Sequence, residues 1–134
     1  MRILQILLAE DNDADAFLIT KALDAYRLRY VLVRACDGEQ AIDIIRHLGQ
    51  PGGAPCPDVL LLDLNLPRWD GAEILAEFRS REACRDVPVV IVTSADSPRE
   101  KERVAALGVS HYFKKPMDID EYMKLGDVVA KTCG

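Results

Sequence analysis

The chain switches five times between apolar runs and segments of helical periodicity. Ile3–Ala9 is apolar except at Gln5, and Val59–Leu62 and Val89–Val92 are continuous. Apolar runs without alternation fit strands covered on both faces, as in a parallel sheet between two helical layers. Tyr30–Val33 and Val109–Phe113 are shorter or more mixed and suit the sheet edges. Between the runs, Ala14, Phe17, Leu18, Ala22 and Ala25 recur at helical spacing, as do Ala41, Ile42, Ile45 and Leu48, then Ile74, Leu75 and Phe78. Strict β-then-α alternation predicts an α/β fold: a doubly wound, five-stranded parallel sheet in the order 2-1-3-4-5, with five helices.

The punctuation agrees. Ser97-Pro98-Arg99-Glu100 reads as a capping box with proline at the first helical position, and Gly108 as the stop. Asn12 or Asp13 can cap the first helix, and Asp118 or Asp120 can start a final helix running through Val129. The stretch 49–57 holds three prolines and three glycines and reads as a loop. With 134 residues, the chain is expected to be a single domain over 1–134.

Acidic residues outnumber basic ones 22 to 17, for a net charge of −5. A generic nucleic-acid binder needs surplus Lys and Arg to displace counterions, so direct nucleic-acid binding is not expected. Cys36, Cys56, Cys84 and Cys133 form no C-x-x-C pair, and His47 and His111 lie near none of them in sequence. That spacing argues against zinc and for reduced, cytosolic thiols. The first apolar run is too short to span a membrane and lacks a cleavage pattern, so a cytoplasmic protein without membrane contact is expected.

In open α/β sheets, ligands bind beyond the carboxyl ends of the strands, where strand order reverses. For the order 2-1-3-4-5 that point lies between strands one and three, which end at Glu10-Asp11 and at Asp63. The fourth strand delivers Thr93 and Ser94 to the same edge, and the fifth delivers Lys115. Three crowded carboxylates repel one another unless a cation compensates, and an all-oxygen set favours Mg²⁺. A carboxylate can also attack phosphorus and form an aspartyl phosphate, a role that suits Asp63. Lys115 would neutralise phosphoryl charge, and the Thr93 hydroxyl would donate a hydrogen bond to it. Singly, each feature has a bland explanation: a helix cap, a loop, a solvated lysine. Their joint placement at four strand ends is what coincidence explains poorly.

The pieces Leu7-Leu8-Ala9-Glu10-Asp11-Asn12, Leu61-Leu62-Asp63-Leu64-Asn65-Leu66-Pro67 with Asp70-Gly71, Pro88–Ala95, and Tyr112-Phe113-Lys114-Lys115-Pro116 stand in order along the chain. In these pieces the chain resembles the receiver domain of two-component response regulators, whose fold is flavodoxin-like. The resemblance implies that Asp63 accepts a phosphoryl group from a histidine kinase. It further implies that Asp11, Asp63 and the Asn65 backbone carbonyl bind Mg²⁺, with Glu10 acting through a bound water. Lys115 would contact the phosphoryl group, and Thr93 would turn toward it on activation. Tyr112 takes the place of the switch aromatic, and the Lys115–Pro116 bond is a candidate for a cis peptide. Side chains alternate along a strand, so Lys114 and Lys115 should face opposite ways, and the resemblance selects Lys115, whose position directly before proline matches the family.

Within the family, the acidic first loop, the Asp63–Pro67 run, the 49–57 loop and the stretch 116–122 look most like stand-alone regulators that partner phytochrome-type kinases. That likeness implies no output domain and no enzymatic activity beyond the chain's own phosphorylation and slow dephosphorylation. Output would pass to a downstream protein target or phosphotransfer protein, or through a homodimer, by a change in the surface around residues 96–125. On that surface the helix from Pro98 to Leu107 is polar, and in the last helix Ile119, Tyr122, Met123 and Val129 are read as one apolar stripe with Leu125 and Val128 off it. Arg68 and Trp69 follow Asp63 in an exposed loop and offer a kinase contact. Two rivals share the architecture. A flavodoxin-like carrier needs a first loop that cradles phosphate, where this chain has Glu10, Asp11, Asp13 and Asp15. A haloacid-dehalogenase-type phosphatase needs a second aspartate two residues after the first, where this chain has Asn65.

Overall fold

The computed structural model describes residues 2–94 and 97–134. The five strands are β1 (Leu4–Ala9), β2 (Tyr30–Ala35), β3 (Val59–Leu62), β4 (Val89–Thr93) and β5 (His111–Lys114). All pair in parallel, in the order β2-β1-β3-β4-β5, so the two mixed runs do lie at the edges. The helices are α1 (Asp13–Ala25), α2 (Gly38–Arg46), α3 (Gly71–Ser80), α4 (Pro98–Ala105) and α5 (Ile119–Cys133), with a short 3-10 turn at Glu82–Cys84.

Strand periodicity divides the core into two layers. Leu7, Ala9, Leu60, Leu62, Val89 and Ile91 face α2, α3 and α4, where they meet Ile42, Ile45, Ile74, Leu75, Phe78 and Val104. Ile6, Leu8, Val59, Leu61, Val90 and Val92 face α1 and α5, where they meet Ile19, Leu23, Tyr122, Leu125 and Val129. Burial on both faces explains why the central runs read as continuous.

Two helical stripes differ from expectation. On α1 the buried residues are Ala16, Ile19, Ala22 and Leu23, while Phe17 is 59% exposed. The helix carries apolar residues in two registers, and the register with the larger aliphatic chains, Ile19 and Leu23, faces the sheet. On α5, Leu125 is buried with Tyr122 and Val129, and Ile119 is exposed. At 100° per residue, Leu125 stands 60° from Tyr122, whereas Ile119 stands about 120° from Leu125.

The caps resolve the open boundaries. Asn12 accepts from the Asp15 N–H and starts α1, and Asp118 starts α5. Ser97 caps α4 through the Glu100 N–H, and α3 opens on a reciprocal capping box between Asp70 and Glu73. Asp70 also pairs with Arg103 of α4. Trp69 is not an exposed loop aromatic: it packs on the α2–α4 layer and lies against Gly38, where any Cβ would strike it. Arg68, just before it, has a positive φ of 68°.

The cysteines require a correction. Cys56 and Cys84 are joined as a disulfide, with Cα atoms 5.9 Å apart, whereas Cys36 and Cys133 are free. The two bonded residues lie 28 positions apart, and the 49–57 loop carries Cys56 back onto the turn that holds Cys84. Spacing along the chain gave no hint of that return.

Candidate functional site

The carboxyl edge of the sheet assembles the site through ladder register. Ala9 of β1 stands beside Leu62 of β3 and Ala35 of β2, so the residues that follow leave the sheet together. The Asp63 N–H still bonds the Ala9 carbonyl (3.0 Å), and the Glu10 N–H bonds the Ala35 carbonyl (3.1 Å). On the far side, the Lys115 N–H bonds the Thr93 carbonyl at 2.8 Å, extending the ladder one residue past β5.

Glu10, Asp11 and Asp63 each present a carboxylate oxygen within 4.8 Å of the others. Glu10 and Asp63 are buried and Asp11 is exposed, so the cluster opens to solvent on one side. The Asp63 carboxylate accepts from the Asn65 N–H (3.0 Å) through Oδ1 and from Lys115 Nζ (3.0 Å) through Oδ2. Glu10 Oε1 lies 2.7 Å from Lys115 Nζ, and Oε2 accepts from the Asn12 N–H at 3.1 Å. Thr93, the last residue of β4, is fully buried, and Ser94 beside it is exposed.

Lys115, not Lys114, enters the carboxylate cluster, and alternation along β5 is the reason. Tyr112 packs against the α2–α4 layer and Phe113 against the α1/α5 layer. Lys115 continues on the Phe113 side, toward α1 and α5, while Lys114 is exposed. Tyr112 is half-buried, with Lys101 Nζ of α4 4.7 Å from its ring centroid. The Lys115–Pro116 peptide, expected to be cis, is trans, as no cis bond occurs among the described residues. Trans is the lower-energy isomer of an X-Pro bond, and in it Lys115 reaches all its partners.

Three further residues belong to the cluster and were not singled out from sequence. Asp15, in the first turn of α1, accepts from Lys115 Nζ (3.1 Å) and from the buried Tyr122 hydroxyl (3.1 Å). Arg34 donates through Nε to the Glu10 carbonyl (3.0 Å) and pairs through Nη1 with Asp13 (2.9 Å). By periodicity Tyr122 reads as an apolar helix residue, and its hydroxyl leaves no periodic signal. Asp11 precedes the Asn12 cap of α1, so no helical spacing along the chain links Asp15 to the cluster.

The electrostatics follow from crowding. Burial raises the Glu10 carboxyl to about 7; Lys115 opposes the shift and Asp63 adds to it. Burial alone would lower the Lys115 ammonium, but Glu10 and Asp63 outweigh it and hold the pKa above its ordinary value. Burial, then Asp15, pushes the Tyr122 phenol up, so it stays a donor. Three carboxylates therefore meet one ammonium and Asp11 adds a fourth negative charge beside Glu10 and Asp63, an excess that a divalent cation would offset. Three carboxylate oxygens beside an open, wet side fit a hard cation that retains several waters.

A family model for the response regulator receiver domain matches residues 6–125. The chain belongs to the response regulator receiver family. It is 36% identical over 116 residues to the probable methanogenesis regulatory protein FilR2 of Methanothrix harundinacea, covering 87% of this chain and 74% of that protein. It is 32% identical over 120 residues to the response regulator Rcp1 of Synechocystis, covering 90% and 82%. Among solved structures, phosphorylated RcpA, a cyanobacterial phytochrome response regulator, superimposes with a TM-score of 0.85 at 32% identity, covering 97% of this chain and 93% of that one. The Mn²⁺-bound form of Rcp1 gives 0.82 at 29% identity, covering 96% and 92%. The receiver thus stands close to phytochrome-associated regulators, and among its described residues no helix is long and apolar enough to cross a membrane.

Proposed function

We propose that this receiver is a phosphorylation switch in which Asp63 accepts a phosphoryl group from a histidine kinase. The observation that carries the reading is Asp63 itself, buried at the end of β3, with one oxygen on Lys115 and a carboxylate oxygen in the cluster with Glu10 and Asp11. In the step, an Asp63 oxygen bonds to phosphorus as the phosphorus–nitrogen bond of a phosphohistidine breaks. The bonding pair leaves on the imidazole nitrogen, which takes up a proton.

Glu10, Asp11, Asp63 and the Asn65 carbonyl would hold Mg²⁺, Glu10 through a water. A bound Mg²⁺ would supply charge compensation for the incoming phosphoryl oxygens. Lys115 adds a fixed positive charge beside Asp63, and the Asn65 N–H orients the attacking carboxylate. The Thr93 hydroxyl turns toward the new phosphoryl oxygens, and Tyr112, against α4, responds to that movement. The surface around residues 96–125 then changes its binding partners; its first residue, Asp96, and the preceding Ala95 lie outside the described residues. A coupling of ~1–3 kcal/mol between the two sites is typical of such control.

The likeness to Rcp1 and RcpA supports a phytochrome-type kinase as the donor, and a protein target, phosphotransfer protein or second copy of the chain as the reader of the switch. The acidic charge supports a protein that contacts neither nucleic acid nor an anionic membrane surface. The chemistry is confined to one residue, with slow self-dephosphorylation in place of turnover. Incubation with acetyl phosphate and Mg²⁺, followed by intact mass, is expected to show one added phosphoryl group, absent in Asp63→Asn and suppressed without Mg²⁺. Modification retained in Asp63→Asn would move the site elsewhere.

A further inference from the structure

Lys115 offers three N–H donors, and three carboxylates meet them: Glu10 at 2.7 Å, Asp63 at 3.0 Å and Asp15 at 3.1 Å. Glu10 and Asp63 also belong to the cation cluster; Asp15 does not. Asp15 comes instead from α1 and is held from behind. Its Oδ1 accepts from the hydroxyl of Tyr122, whose ring is buried between α1 and α5 with Phe113 as neighbour. With Oδ1 fixed on α5, Oδ2 points at the ammonium. A carboxylate aimed this way takes a share of the positive charge that Lys115 can offer a phosphoryl group.

We propose that Asp15, aimed by Tyr122, is a positioning residue that holds back the Lys115 ammonium and so weakens the capture of a phosphoryl group at Asp63. The proposal rests on the phosphoacceptor reading. Two opposite consequences follow from removing the Asp15 charge. Lys115 loses one of three anchors, and the incoming anion loses both a competitor for the ammonium and a like charge nearby. Glu10 and Asp63 are at least as close to Nζ and keep the lysine over the site, so the second effect governs. Replacement by asparagine preserves size and leaves one oxygen to accept a hydrogen bond.

The test is titration of the purified chain with beryllofluoride, a phosphoryl mimic, at saturating Mg²⁺, with calorimetry reading Kd. Asp15→Asn is expected to bind threefold to tenfold more tightly than the parent. Tyr122→Phe should shift in the same direction by less, and should add little on top of Asp15→Asn. Asp13→Asn removes an equal charge from the same helical turn, but at a carboxylate that faces Arg34, and should stay within twofold of the parent. A damaged site would bind more weakly, so a gain separates restraint from simple structural support. Unchanged or weaker binding by Asp15→Asn, or an equal gain in Asp13→Asn, would overturn the proposal. If Asp15→Asn does not fold, Tyr122→Phe decides alone, and no gain there overturns it. A parent chain that binds no beryllofluoride would instead overturn the phosphoacceptor reading, before any variant is compared.

Discussion

Lys115 and Asp63, 52 residues apart in the chain, meet at 3.0 Å across the carboxyl edge of the sheet. Their contact makes the lysine the ammonium that offsets a buried acidic cluster. Removing it therefore has two opposite effects. Lys115→Met should destabilise the metal-free chain by about 3–5 kcal/mol, because buried carboxylates lose their partner. The same change should tighten Mg²⁺ binding, since the site becomes more negative. Urea unfolding with and without Mg²⁺ measures both.

Metal removal should be visible as a stability change. At a hundredfold excess of Mg²⁺ over its Kd, binding to the native state alone adds ~2.7 kcal/mol. Asp11→Asn should abolish most of that increment, because Asp11 supplies the exposed oxygen of the cluster. Its metal-free stability should change little, as Asp11 is solvated. Thermal unfolding in chelator and in Mg²⁺ gives the comparison.

Glu10 fixes a pH dependence in the metal-free chain. Its carboxyl is raised from 4.5 to about 7, so between those values the folded state binds more protons than the unfolded one. Stability should accordingly increase as pH falls from about 7 toward 4.5, and decrease as pH rises through that window. Glu10→Gln should flatten this slope and be the more stable chain above pH 7. Denaturant midpoints across the range, in chelator, report the sign directly.

The Cys56–Cys84 link closes a 28-residue separation that contains β3, Asp63 and α3. In the chain-entropy account such a loop contributes ~3–4 kcal/mol. Cys56→Ser should lower stability by roughly that amount under oxidising conditions and by much less in excess reductant. Cys56 is the better position to change, because Cys84 is fully buried and its replacement also disturbs packing.

Gly126 marks a close approach of α5 to α1. A Cβ there would strike the Ala22 carbonyl oxygen and the Tyr26 ring, and the carbonyl belongs to the α1 backbone. Gly126→Ala should destabilise the fold by about 1–3 kcal/mol through forced separation of the helices. Because α1 and α5 carry Asp15 and Tyr122, their 3.1 Å hydrogen bond should weaken with it. Unfolding measurements and the amide exchange of α1 check the two parts.

Sheet order, strand positions and the carboxylates at the strand ends were all legible in the chain. Uninterrupted apolar runs at Val59–Leu62 and Val89–Val92 left few ways to bury them other than a parallel sheet between helices. Polar residues directly after such runs then had to stand at one edge. Strand alternation separates Lys114 from Lys115, but which of the two turns inward came from the match of the position before Pro116 to the receiver family and not from the strand pattern. The α1 face was not. Phe17 and Ile19 both keep helical spacing, and periodicity alone gives no reason to turn one outward.

What the sequence by itself determined is whatever follows from local period: the elements, their order and the strand-end groups, since a side chain's direction within a strand or helix depends on near neighbours. Tertiary structure alone decided the pairings across long separations. Asp15 with Tyr122, Cys56 with Cys84, and the trans bond before Pro116 depend on where loops and helices come to rest. Those positions are set by packing between distant segments, which leaves no periodic trace along the chain.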